Sequence, residues 1–141
     1  MLKATNNDQN VILGLLITGG EPEATNIKTE LYDLSSNTSC KMPDLPEQRY
    51  SHSSHNEGLI CGGRLSSLTI GTCIKLINGV WTNTHNLISG RAEHSSWDID
   101  PGNSFMLLGG VQENYEATKT TEIVFFNGSV ASGFNLQYFA R

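Results

Sequence analysis

Two arginines and two histidines recur in one short pattern, and they are the residues best suited to chemistry. Arg49 and His52 belong to RYSHSS, and Arg91 and His94 belong to RAEHSS. An imidazole could bind a metal ion or transfer a proton, and an arginine could bind an acidic partner. Catalytic groups rarely recur in every unit of a chain, however. We therefore predict that the imidazoles hydrogen-bond backbone between strands and that the arginines bind carbonyls between neighbouring units, with a partner-facing role as the alternative.

Two of the three cysteines bracket a loop between neighbouring predicted strands. If those strands pair as an antiparallel hairpin, Cys61 at the end of one faces Cys73 at the start of the next, within range of a disulfide. The alternative is a pair of buried, reduced thiols, and the sequence leaves both open. Cys40 is the odd thiol of the disulfide interpretation. The spacings are too irregular for a zinc site.

Two further motifs concern modification and ion binding. Asn37 and Asn127 each begin an Asn-x-Ser/Thr triplet in the turn before the last predicted strand of a unit, and both are candidate glycosylation sites. They favour a secreted or extracellular protein and leave a cytoplasmic one open. Residues 98–103 superficially resemble a calcium loop, but Gly102 stands where an oxygen ligand is needed. We interpret that segment as an enlarged turn.

Composition and missing motifs argue against several classes of function. The net charge is −5, and nine scattered Lys and Arg residues give no basic stripe for nucleic acid. The longest apolar run, residues 11–17, is too short to cross a bilayer. The sequence contains no acid–base carboxylate pair, nucleophile elbow or phosphate-binding loop. We therefore predict no enzymatic activity, no metal, no cofactor and no membrane or nucleic-acid partner.

A threefold pattern of short strands must position these residues. Apolar runs ending in Gly-Gly close at residues 20, 63 and 110, which are 43 and 47 residues apart. From the second glycine to the Asn of a following turn there are 17, 15 and 17 residues. Alternating apolar and polar residues in 29–34 and 72–77 predict half-buried strands, and Asn-Gly at 78–79 predicts a hairpin turn. Each unit thus has about four short strands and no helical period.

Four-stranded units at this period are the signature of β-propeller blades. We divide the chain into a frayed lead-in, 1–10, and a propeller segment, 11–141, with units at about 11–48, 49–90 and 91–141. The first unit is expected to lack its innermost strand, and Arg141 stands where a further unit begins. Propellers typically close with four to eight blades. We therefore expect a fragment of a longer protein whose flanking blades are missing, or a chain that self-associates.

The residues of the second unit resemble the kelch repeat family. The resemblance rests on a glycine pair, an apolar strand, a tryptophan after the next turn, and an arginine and histidine that open the following unit: Gly62, Gly63, residues 73–77, Trp81, Arg91 and His94. Cys40 and Val130 replace the tryptophan in the other two units. The resemblance covers the chain from Val11. It implies an all-β fold of kelch-type blades, each of four antiparallel strands, in an incomplete ring.

The resemblance is less informative about function, because one fold hosts many unrelated roles. The leading hypothesis is a non-enzymatic module that binds an unidentified protein partner through loops at one face. One alternative is part of a copper-radical oxidase similar to galactose oxidase, in which Tyr, His and Cys build the site. Another is the substrate-recognition part of a protein-turnover adaptor.

Overall fold

The described part of the chain is all-β and antiparallel. The computed structural model of the protein describes residues 2–5, 11–20, 27–55 and 58–138. The strands are β1 (Leu2–Thr5), β2 (Val11–Thr18), β3 (Thr29–Asp33), β4 (Thr38–Lys41), β5 (Ser53–His55), β6 (Leu59–Cys61), β7 (Arg64–Leu65), β8 (Leu68–Thr69), β9 (Thr72–Ile77), β10 (Val80–Asn86), β11 (Ser95–Asp100), β12 (Ser104–Leu108), β13 (Thr121–Phe125) and β14 (Val130–Ser132). A 3-10 turn spans Glu113–Tyr115.

Three four-stranded sheets follow one another along the chain. The first sheet has the order β1-β2-β3-β4, the second β5-β6-β9-β10 and the third β11-β12-β13-β14. Each is an up-and-down meander in which strands adjacent in that order pair antiparallel. The hairpin of β7 and β8 is inserted between β6 and β9 of the second sheet. The described residues do not close into a ring of sheets.

Apolar side chains cover both faces of the second sheet. On one face, Leu59, Cys61 and Cys73 form a buried cluster with Phe105 and Leu107 of the third sheet. On the other face, a smaller cluster joins the second sheet to the segments that flank the first, and it consists of Ile60, Ile74 and Leu45 with Ile27 and Trp81 at its edge. Burial of apolar surface between sheets is the main source of stability in such a fold. The second sheet is therefore the centre of the described structure.

Two turns of the hairpins agree with the residues that form them. Asn78 and Gly79 both have positive φ, 49° and 78°, as a tight hairpin turn of this type requires. Residues 101–103 form the turn between β11 and β12, where Asn103 donates to the Asp100 carbonyl at 2.9 Å. The prediction of an enlarged turn in place of a calcium loop agrees with this geometry.

The structure corrects one expectation about strands. The lead-in is not wholly irregular, because Leu2–Thr5 forms β1 and pairs with β2, so the first unit has the fourth strand that it was expected to lack. The alternation in LKAT is short but typical of a strand. In the second unit the first strand begins at Ser53, since Ser51 has a φ of 54° that interrupts extended backbone. In the first unit the last strand ends at Lys41, before Pro43. Residues 6–10 and 21–26 and Arg141 lie outside the described residues.

Candidate functional site

Arg49 and Arg91 occupy equivalent buried places, and both side chains are fully enclosed. Nη1 of Arg91 donates to the carbonyls of Gly109 and Thr120 at 3.0 and 2.9 Å. Nη1 of Arg49 donates to the matching carbonyls of its own unit, those of Gly62 and Thr72, at 3.1 and 2.8 Å. The expectation that these arginines bridge neighbouring units is wrong. Each one joins two strand ends within its own unit, where carbonyl groups would otherwise be left without donors.

A carboxylate accompanies each guanidinium, but the two come from different places. Nη2 of Arg91 lies 2.6 Å from Oε1 of Glu122, which is itself buried and accepts from the backbone amides of Ile88 and Ser89. Nη2 of Arg49 lies 2.7 Å from Oε1 of Glu47, whose side chain is 42% exposed. Sequence reasoning missed Glu122. A lone glutamate in an apolar strand was the available signal, because such a residue is buried only when it is paired.

His52 and His94 connect neighbouring sheets through hydroxyl groups. Nε2 of His52 lies 2.8 Å from Oγ1 of Thr18 in β2, and Nε2 of His94 lies 2.9 Å from Oγ of Ser53 in β5. The Nε2 partners are side-chain hydroxyl groups, and each ring also interacts with a backbone group, that of Arg49 for His52 and that of Arg91 for His94. Burial, helped by the charge of Arg49, lowers the pKa of His52 to about 4. Burial, helped by Arg91, lowers the pKa of His94 to about 3. Both rings are therefore neutral at physiological pH.

The glycine pairs explain why arginine and histidine recur with them. Gly62 has a φ of 64°, and a Cβ there would lie 2.5 Å from the carbonyl oxygen of Arg91 and 2.7 Å from the ring of His94. A Cβ on the second glycine, Gly63, would lie 2.9 Å from the Arg49 side chain and 3.0 Å from Cβ of His52. Gly63 also donates to the Arg91 carbonyl at 2.8 Å. The repeated residues thus form one packing unit that holds each sheet against the next.

The partner-facing alternative stays a prediction. Arg49 and Arg91 have no exposed surface in the described structure. His52 and His94 are half-buried, and their Nε2 atoms are already hydrogen-bonded. In the described ranges, no group of three or more His, Cys, Asp and Glu residues is placed to hold a metal ion.

Cys61 and Cys73 are paired as the hairpin register predicts. The two residues lie opposite one another on β6 and β9, and their sulfur atoms are bonded at 2.07 Å. Cys61 stands directly before its glycine pair, as Thr18 does in the first sheet. Because no hydroxyl group is present at that position, His94 hydrogen-bonds to Ser53. Cys40 is exposed and unpaired with another cysteine. The structure thus has the disulfide alternative, with both sulfurs in the buried cluster between the second and third sheets.

The two glycosylation candidates lie at equivalent exposed turns. Asn37 is in the β3–β4 turn and accepts a hydrogen bond from the hydroxyl of Tyr32. Asn127 is in the β13–β14 turn, and its Oδ1 accepts from the amide and hydroxyl of Ser129 at 3.0 and 2.7 Å. Both side chains are on the surface. Their glycosylation stays a prediction.

The loops that follow two of the glycine pairs form a surface that the sequence did not predict. Arg64 is buried at the base, where its guanidinium lies 3.8 Å from the centre of the Tyr115 ring and donates to the Gln112 carbonyl at 3.4 Å. The hairpin of β7 and β8 and the 3-10 turn are thereby held side by side. We call their exposed residues the loop surface, and they are Ser66, Ser67, Leu68, Glu113, Asn114, Tyr115 and Glu116.

A polar cleft of about 390 Å³ lies beside the loop surface. Its lining includes Thr69, Ser89, Gln112, Glu113, Asn114 and Glu116. Nε2 of Gln112 donates to the hydroxyl of Ser89 at 2.5 Å and fixes one wall. Ser66, Asn114 and Tyr115 have positive φ values of 55°, 59° and 63°, which are uncommon for these residue types and cluster at functional loops. No repeat pattern marks these residues, which is why sequence reasoning passed over them.

A larger cavity of about 560 Å³ lies between the second and third sheets. Leu59 and Phe126 line it together with His85. Both ring nitrogens of His85 are occupied, since Nδ1 lies 2.8 Å from the Thr84 hydroxyl and Nε2 lies 2.8 Å from the Phe125 carbonyl. The imidazole in this cavity is therefore part of the link between the two sheets.

Comparisons with known proteins add no assignment. A scan against protein-family models found no match for this chain. A search of the curated proteins found no match either. Among the described residues, no helix has the length and apolar character needed to cross a membrane.

Proposed function

We propose that the chain consists of kelch-type β-propeller blades and that it binds a protein partner, without enzymatic activity, through the loop surface. Three successive four-stranded meanders support the blade interpretation. The Arg49 and Arg91 contacts support it further, because the same carbonyls are bound at the same strand ends in both units. A repeated architecture of this kind commonly presents loops to a partner.

One observation carries the functional proposal: the repeating polar residues serve the scaffold, and the non-repeating ones are exposed on loops. The repeating residues form hydrogen bonds to groups inside the structure, and they are Arg49, Arg91, His52 and His94. The β7–β8 hairpin and the loop with the 3-10 turn lie at equivalent places after two glycine pairs, but their exposed residues, 66–68 and 113–116, do not repeat. Loops on a rigid sheet scaffold are where binding residues concentrate. The loop surface is accordingly the best candidate for recognition.

The chemistry of the loop surface fits a protein partner. Leu68 and Tyr115 are 58% and 56% exposed, although large apolar side chains usually avoid water. Tyrosine is among the residues that dominate binding energy when an interface buries them. Glu113 and Glu116 stand beside them and supply an acidic rim. The combination of apolar anchors and a charged rim is the usual anatomy of a protein interface.

Replacement of loop residues tests the proposal. The protein and its Leu68→Ala/Glu113→Ala variant would be used as bait, and the captured partners would be quantified by mass spectrometry. We expect at least a tenfold loss of the specific partner, since removal of a hot-spot side chain at an interface costs about 2 kcal/mol or more. Direct binding of the identified partner would then be measured with purified components.

The control is Val80→Ala, which shortens a side chain of similar exposure, 63%, in β10 and away from the loops. This variant should retain the partner. If loop and control variants capture the same proteins in the same amounts, the loop surface does not bind the partner and the proposal fails.

A further inference from the structure

Two outer faces of the described structure carry apolar side chains without a covering sheet. On the first sheet, Leu15 and Ile17 project away from the second sheet and are 53% and 51% exposed. On the third sheet, Trp97 is 72% exposed, and its cross-strand partner Met106 is half-buried. We call these the first outer face and the last outer face. Contiguous exposed apolar surface of this kind marks an interaction site.

The contact between the second and third sheets shows what such faces bind. The ring of His55 stacks on that of Phe105, with centroids 3.5 Å apart and planes inclined by 25°. Leu59, directly opposite His55 across the strands, packs in the same buried cluster with Leu107. At the centre of this interface Leu59, Phe105 and Leu107 have almost no exposed surface.

The last outer face corresponds, position by position, to the face of the second sheet that packs against the third sheet. Met106 and Leu59 are counterparts, because each stands three residues before the first glycine of its pair. Trp97 lies opposite Met106 as His55 lies opposite Leu59. Trp97 is therefore the counterpart of His55, with a larger aromatic ring and, among the described residues, no ring stacked on it.

The first outer face corresponds, position by position, to the face of the third sheet that packs against the second sheet. Leu15 and Ile17 stand four and two residues before the first glycine of their pair, as Phe105 and Leu107 do. The chain thus exposes both halves of an interface that it already builds once internally. The two halves lie at opposite ends of the row of sheets, so they cannot meet within the described part of one chain.

We propose that the two outer faces bind each other between two copies of this chain, head to tail, with Trp97 of one copy seated on Leu15 of the other. Two copies supply six sheets, which is within the four to eight that close a propeller. The proposal rests on the blade arrangement of the proposed function. A head-to-tail contact forms a closed ring when the rotation between units closes and an open filament when it does not. With two identical junctions the ring stops at a dimer.

The mass of the protein in solution tests the closed dimer. Sedimentation analysis should give twice the 15.4 kDa of one chain at micromolar concentration. Ile17→Lys and Trp97→Lys should each raise the dimer dissociation constant at least tenfold, because every junction uses one of each face. Leu68→Lys, at a similarly exposed apolar residue of the loop surface, should leave the dimer intact. A monomeric wild-type protein, a filament, or a dimer that survives either face variant would overturn the proposal.

Cross-linking tests the pairing without relying on charged variants. In a Cys40→Ala background, the Leu15→Cys/Trp97→Cys protein should form a covalent species of two chains with a short bis-maleimide. Peptide mapping should find residue 15 joined to residue 97. The single-cysteine proteins, each with one of the two substitutions, serve as controls and should stay uncrosslinked. A cross-link in either control would mean that like faces meet, and it would overturn the head-to-tail arrangement.

The two proposals fail separately. Loop variants change the capture of a partner and leave the outer faces untouched, whereas face variants change the mass and leave the loops untouched. A monomer whose loop variants still lose their partner would remove the dimer and keep the proposed function.

Discussion

At the scale of single residues, one close approach accounts for the pattern that the sequence repeats. The first glycine of a pair contacts the arginine carbonyl and the histidine ring of the next unit. No side chain fits in that gap, so glycine, arginine and histidine must occur together. The repetition alone indicates that these residues have a structural role. It does not predict which atoms interact, because spacing in the sequence does not distinguish a hydroxyl partner from a carbonyl partner.

A glycine substitution tests the close approach. Gly62 and Gly79 both have positive φ, 64° and 78°, but a Cβ at Gly79 would meet nothing within 4 Å. Gly79→Ala should therefore cost only the backbone term, about 1 kcal/mol. Gly62→Ala should cost a further 1–3 kcal/mol or so, because the new methyl group forces neighbouring groups apart. The free energies of unfolding from urea titrations give the comparison, and equal costs would refute the packing role of Gly62.

The neutral histidines predict a loss of stability in mild acid. The folded-state pKa values of His52 and His94 are about 4 and about 3, below the ordinary 6.5. The unfolded chain therefore takes up protons below pH 6.5 while the folded chain does not. Stability should be highest above pH 6.5 and should fall as the pH drops toward 4.

Urea midpoints measured between pH 7.5 and 5 would test this dependence, since ordinary carboxylates titrate lower. Replacement of one histidine, His94→Gln, should make the decline shallower even if it lowers stability at pH 7.5. Parallel curves for the variant and the wild type would rule out a contribution from His94.

At the scale of elements, the disulfide closes the hairpin of β6 and β9 around the inserted loop. Cys61 and Cys73 are 12 residues apart in the sequence. In the chain-entropy model, a loop of this length stabilises the fold by about 2–3 kcal/mol. Cys61→Ala/Cys73→Ala should lower the free energy of unfolding by about that amount, and Cys40→Ala, at an exposed thiol, should leave it within about 0.5 kcal/mol.

The protein for this comparison must be made through a secretory route, because a reducing cytosol would leave the thiols free. Peptide mapping without reduction should recover Cys61 linked to Cys73. A link from Cys40 to either of them would show that the register of β6 and β9 is wrong.

The sequence predicted the long elements better than the short ones. Alternation located β3 and β9, and Asn78-Gly79 located the turn into β10. The hairpin of β7 and β8 escaped because its strands are two residues long, too short to show a period. The loop surface escaped for a related reason. Its central contact, Arg64 over Tyr115, joins residues from two different units, and no local pattern records such a pair.

At the scale of the whole molecule, the sheets differ in how well they are covered. The second sheet has an apolar cluster on each face, whereas Leu15 and Ile17 leave one face of the first sheet in solvent. Backbone amides exchange slowly where opening must disrupt more buried contacts. The inner strands of the two sheets pair alike, β6 with β9 as β2 with β3. The Cys61–Cys73 disulfide also joins β6 to β9, so both cysteines are replaced by alanine for the comparison.

Hydrogen exchange should therefore be slowest in the second sheet. We expect amides of β6 and β9 to exchange at least tenfold more slowly than those of β2 and β3, since about 1.4 kcal/mol of extra opening energy gives that factor. The measurement uses the Ile17→Lys variant, in which the first outer face is uncovered whether or not the wild-type chain forms dimers. Peptide-resolved mass spectrometry separates the two pairs of strands. Equal protection in both sheets would show that coverage of the faces does not determine local stability, and it would weaken the case that the second sheet is the centre of the fold.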